Sequence, residues 1–176
     1  MTYPSYDQTP VGRFENAEDL MPLLSPENAD GWYLYTPRAD RPMRFHRHDG
    51  SVIEPGRFLT DLGTIPKIFR IGRLMQPDSY PAVALLHDWI VRQQNCRTVT
   101  RAFGDSILIQ QEALKTWMES HPQDRSRLVF LLTRIGLTSG RSRDGWEVEF
   151  NPCPPSLETL LATQRDLNRC RLWRRH

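Results

Sequence analysis

No apolar run in this 176-residue sequence approaches the length of about eighteen residues that a membrane-spanning helix needs. The opening stretch "MTYPSYDQTPVGRF" has no basic start followed by an apolar segment, so no secretory signal peptide is expected. Internal repeats and low-complexity tracts are absent, and so are a P-loop, a G-x-S-x-G elbow and a dinucleotide fingerprint. The three cysteines, Cys96, Cys153 and Cys170, are odd in number and lack C-x-x-C spacing. They argue against a zinc site or a redox pair, and they suggest a reducing compartment. A net charge of +2 is too small to imply a polyanionic partner, and nucleic acid is not the expected one.

The two ends of the chain carry opposite charge. The first thirty residues carry Asp7, Glu15, Glu18, Asp19, Glu27 and Asp30 against Arg13, while "RDLNRCRLWRRH" ends the chain with five arginines. Residues 1–30 read as an extended, proline-punctuated arm, 31–150 as the core domain, and 151–176 as a proline-started helix with a basic tail. Arms of this kind suit docking on other proteins or on further copies of the chain.

Within the core, "GWYLYTP" and "MRFHRHDGSVIE" alternate aromatic and β-branched residues around an "HDG" turn and predict a small antiparallel sheet. "RFLT" reads as a further short strand, before an irregular loop. "DSYPAVALLHDWIVRQQ" (78–94) predicts a helix capped by Asp78 or Ser79, with Pro81 in its first turn. A second helix is expected over 98–120, capped by Thr98 or Thr100, and a third over 123–137. "GWEVEF" (145–150) alternates as a strand, and 154–173 reads as a last helix. The fold class is therefore α+β: a helix-dominated single domain with a small antiparallel sheet near the N-terminal half.

The chemistry-bearing constellation is His87 and Asp88, side by side within an apolar helix. Asp105 lies on the next helix, and Asp61 with Thr60 and Thr64 in the segment before. Antiparallel packing of the two helices would let Asp105 accept the ring proton of His87 and leave the other nitrogen as a general base. Asp88 and Asp61 would then bind a divalent cation or the substrate, with Thr60 and Thr64 beside them. The plain alternative is a buried polar brace between helices. A metal-dependent phosphohydrolase set, using His46 or His48 upstream and Asp105 or Asp144 last, ranks lower because "FHRHDG" reads as strand and turn rather than helix.

"IEPGRFLTDLGTIPKIFR", "YPAVALLHDWIV" and "TRAFGDSIL" resemble, in order and spacing, a phage-associated family catalogued as domain-of-unknown-function family 1353. Its pattern reads P-x-G-F-x-T-D-x-A-S-x-P, then A-x-x-x-H-D-x-L-Y, then R-x-x-A-D-x-x-F. The matching positions are Pro55, Gly56, Thr60, Asp61, Pro66, His87, Asp88, Arg101 and Asp105, within about residues 32–140. Gly63 and Thr64 replace the Ala-Ser pair, Val91 replaces the tyrosine, and Gly104 and Leu108 replace alanine and phenylalanine. The resemblance implies a phage or prophage origin and no particular reaction. The helix also resembles, locally, the phospholipase A2 His–Asp signature. By that resemblance His87 would activate water, Asp88 would hold an ion and Asp105 would orient His87. Two functions follow as expectations. One is a water-activating, metal-assisted hydrolase of ester, amide or phosphoester bonds. The other is a non-catalytic virion component of the tail, neck or baseplate.

Overall fold

The computed structural model describes residues 2–19, 33–60, 80–147 and 153. Among them the order is β1 (Arg13–Glu15), β2 (Tyr33–Tyr35), β3 (Arg44–His46), β4 (Val52–Ile53), β5 (Phe58–Thr60), α1 (Pro81–Asn95), α2 (Phe103–Ser120), α3 (Arg127–Leu137) and α4 (Gly140–Glu147). The α+β class holds, with one refinement: the strands form two small antiparallel sheets, ordered β1-β3-β4 and β2-β5. Tyr35 pairs with Phe58 and Phe14 with Phe45, while Phe45 also faces Ile53.

The β3–β4 turn is built as "HDG" implies. Gly50 has φ +85, a backbone conformation costly for other residues, and the Asp49 carboxylate accepts both the Ser51 amide (2.9 Å) and hydroxyl (2.6 Å).

α2 runs through the centre, and every residue from Ile109 to Met118 is buried, including Gln110, Gln111, Glu112, Lys115 and Thr116. A polar helix can be buried on all sides only if its side chains find partners. Here they serve backbone groups of α1 and of residues 4–12, although the Gln110 and Gln111 side-chain oxygens are buried without a hydrogen-bond partner among the described residues. Gln110 Nε2 donates to the Val83 carbonyl on α1 (3.2 Å), Gln111 Nε2 to Pro4 (3.3 Å) and Lys115 Nζ to Thr9 (2.6 Å). The Gly12 amide donates to Thr116 Oγ1 at 2.9 Å.

Residues 2–19 therefore pack on the core, where the prolines suggest a loose arm. Tyr6 sits edge-on to Phe130 with ring centroids 5.1 Å apart, and Phe14 lies against Phe45 at 4.7 Å.

Three boundaries differ from expectation. α2 begins at Phe103 rather than 98, because Thr98 folds back on the Gln93 carbonyl in the turn that ends α1. α3 begins after Ser126, whose hydroxyl accepts the Val129 amide at 3.3 Å. Residues 145–147, expected as the start of a strand, close α4, where Trp146 packs beside Phe103 and donates to the Arg101 carbonyl (3.2 Å). Burial of that indole outweighs the local alternation. The caps expected at Asp78 or Ser79, and the helix expected over 154–173, lie outside the described residues.

The cysteine reading is also corrected. Cys96, at the end of α1, is disulfide-bonded to Cys153 across 57 residues of sequence. Spacing rules detect local pairs and are blind to one made by distant segments. Among the described residues no helix is long and apolar enough to cross a membrane.

Candidate functional site

β5 and α1 meet along a buried seam that positions the His–Asp pair. Phe58, Leu59 and Thr60 are all buried, and Phe58 stacks obliquely on Trp89 of α1 with centroids 5.3 Å apart. Gly56 lies under the same indole: a Cβ there would come within 3.1 Å of the Trp89 ring. Pro81 at the first turn of α1 needs no amide partner. From there the helix carries Ala82, Val83, Leu85 and Leu86 into the core and brings His87 and Asp88 to its rim.

His87 Nδ1 lies 3.1 Å from Asp88 Oδ1, with the imidazole one-third exposed and the carboxylate mostly buried at 13%. The other Asp88 oxygen, Oδ2, accepts the Thr60 hydroxyl. A carboxylate is acceptor-only, so in this bond the proton belongs on Nδ1. The chain Thr60–Asp88–His87 thus holds the imidazole through its Nδ1 side. It links residues 28 and 1 positions apart in sequence and is anchored on two buried elements.

Asp105 does not take the role expected of it. Its carboxylate makes no hydrogen bond with His87, and the residue is exposed in the first turn of α2. The reason is rotational. Gln110 marks the α2 face that touches α1, and Asp105, five residues earlier, points about 140° away from it. The dyad inferred from helix pairing is replaced by one within a single helix, and the phospholipase-like role for Asp105 goes with it. Asp61 and Thr64 lie outside the described residues.

The upstream histidines are engaged elsewhere. His46 Nε2 bonds Glu15 at 2.6 Å, an interaction that draws the Glu15 carboxyl below its ordinary range. His48 Nδ1 bonds Glu112 at 3.0 Å, and Asp144 is exposed on α4. Among the described residues no three His, Cys, Asp or Glu side chains form a metal-holding group. The phosphohydrolase ligand set is not assembled.

Glu112 lies outside every motif of the sequence, whereas Arg101 is one of the family-pattern positions. Glu112, 1% exposed, accepts the His48 amide (2.6 Å) and Arg47 Nε (3.1 Å), tying the β3–β4 turn to α2. Its signal was a carboxylate amid "ILIQQEALKTWM", where a solvated helix face was the simpler reading. Arg101 donates from Nη1 to Gln93 Oε1 (2.7 Å) and from its amide to Gln94 Oε1 (3.2 Å), clamping the end of α1 to the start of α2. Burial, then the nearby Arg47 charge, lowers its pKa.

A model of the protein of unknown function family DUF1353 matches residues 38–129, which is half of the chain and contains both β5 and α1. The chain belongs to that family. Of the DUF1353 pattern positions, Gly56, Thr60, His87 and Asp88 meet at the seam, Arg101 clamps helices, and Asp105 stands apart. No curated protein and no solved structure matches the chain.

Proposed function

We propose that this DUF1353 protein is a small phage or prophage hydrolase in which His87 Nε2 draws a proton from water. The observation that carries the reading is the Thr60–Asp88–His87 chain, which orients a partly exposed imidazole through Nδ1. Asp88 holds the tautomer and would stabilise the imidazolium formed as water attacks an ester, amide or phosphoester bond. Such orientation through Nδ1 is the usual requirement for a general base. A cation-binding role for Asp88 would compete with Thr60 and His87 for its oxygens. Any divalent ion would therefore depend on Asp61 and on groups beyond the pair.

The non-catalytic virion reading draws on terminal arms that dock on neighbours, but residues 2–19 are occupied by their own α2 and α3. The Cys96–Cys153 link favours a virion-borne location over the host cytoplasm, since disulfides persist where glutathione does not reduce them. The test is hydrolysis of p-nitrophenyl acetate, bis(p-nitrophenyl) phosphate and purified host envelope by the parent and by His87→Gln. Activity on one of these, reduced about 100-fold or more by the substitution, supports the reading. Equal activity of the two proteins, or none from the parent, ends it.

A further inference from the structure

α3 carries a second apolar face. Val129, Phe130 and Gly136 are buried against the core, while Leu128, Leu131 and Ile135 stand 61%, 39% and 50% exposed. Steps of three and four residues place these side chains in one stripe on the outer side of the helix, spaced as a helix-packing seam. Ser126 caps this helix and Arg134 ties it to the Pro4 carbonyl (3.1 Å), so the stripe sits on a fixed element.

We infer that the stripe is the docking surface for residues 154–173 of this same chain. The disulfide places Cys153 at the end of α1, and α2 runs antiparallel to α1, with Gln110 level with Val83 and Arg101 level with Gln93. α4 leads back from the end of α3 to the start of α2, where Trp146 meets Arg101. The end of α3 and the tether thus lie at one end of the helix bundle. The segment that follows, "PPSLETLLATQRDLNRCRLW", sets Leu157, Leu160 and Leu161 at the same three- and four-residue steps, with Leu167 one heptad beyond Leu160. A helix over its length would span about 30 Å, against about 10 Å for the stripe.

The size of the surface argues against a second copy. Three half-exposed aliphatic side chains offer on the order of 200 Å². A stable dimer needs about 800 Å² from each partner. A tethered segment needs far less, because a short linker supplies an effective concentration in the millimolar range.

The test uses the full chain with its disulfide intact. Hydrogen exchange is measured on the parent and on a Leu128→Ser, Leu131→Ser, Ile135→Ser variant, with light scattering on both. Slowed exchange over 154–173 in the parent, at least ten-fold faster in the variant, with α1 and α2 unchanged and both proteins monomeric, supports the inference. Unslowed exchange over 154–173 in the parent overturns it, as does protection that the variant keeps. A parent dimer that the variant dissolves assigns the stripe to a second copy and overturns it too. Should the triple variant not fold, a benzophenone amino acid placed at Leu131 gives an independent answer. Photocrosslinks to 154–173 of the same molecule support the inference. Crosslinks to another molecule, or none to that segment, overturn it.

Discussion

Replacing Glu112 by glutamine keeps the side chain's shape and removes only its charge. The carboxylate is buried, with Oε1 taking the His48 amide at 2.6 Å and Oε2 taking Arg47 Nε at 3.1 Å and His48 Nδ1 at 3.0 Å. A glutamine oxygen can still accept the His48 amide, but its NH2 then faces the Arg47 donors. Removing one member of a buried ion pair costs about 3–5 kcal/mol when the other is left unpaired. Arg47 retains Asp49 at 2.8 Å and is 16% exposed, so the expected loss falls to about 2–3 kcal/mol. Urea unfolding at neutral pH, followed by far-UV circular dichroism, measures it directly. In a cycle with Arg47→Met, the double variant should be more stable than the sum of the single losses predicts, by about 1–2 kcal/mol. A Glu112→Gln protein within about 0.5 kcal/mol of the parent, or strictly additive losses, would refute the idea that this group fastens the β3–β4 turn to α2.

Gly12→Ala would drive a Cβ into the His46 carbonyl oxygen and set it 3.1 Å from Glu112 Oε1, forcing β1 off β3, and should destabilise by about 1–3 kcal/mol in the same assay. Gly145→Ala, in α4 with nothing within 4 Å of the new methyl, should instead be stabilising by about 0.5–1 kcal/mol. Reducing the Cys96–Cys153 link, which closes 57 residues, should lower unfolding free energy by up to about 4 kcal/mol on the chain-entropy account, read as a shift in urea midpoint with dithiothreitol. Burial, then the Asp124 charge, pushes the Tyr80 phenol from 10.0 up to about 12. A raised folded pKa favours the neutral form, so this contribution is intact below about pH 10 and is lost as pH climbs through 12. Alkaline unfolding in that window, blunted in Tyr80→Phe, is the expected result.

The parts of the fold legible in sequence are those set by local chemistry. Pro81 and the apolar spacing after it announce α1, "HDG" announces the β3–β4 turn, and the family pattern singles out Gly56, Thr60, His87 and Asp88. What escaped depends on distant partners. The N-terminal segment looks like a loose arm because its anchors, Lys115 and Gln111, lie more than a hundred residues away and bind backbone carbonyls, which leave no side-chain signature. The position of Asp105 is not legible in the sequence, because antiparallel pairing fixes which helices meet but not which face each turns. The Gln110–Val83 contact shows which face of α2 meets α1. The burial of Glu112 is hidden in the sequence because a carboxylate mid-helix ordinarily faces water, and nothing nearby in sequence reveals the turn that covers it.

The account rests on the direction in which the His87 ring is held. Nitrogen-15 NMR of the imidazole, in the parent and in Asp88→Asn, tests it most directly. The neutral ring of the parent should carry its proton on Nδ1, with Nε2 unprotonated, and that preference should weaken in the variant. A parent ring protonated at Nε2 would leave that nitrogen no lone pair to take a proton and would contradict the proposed hydrolytic site.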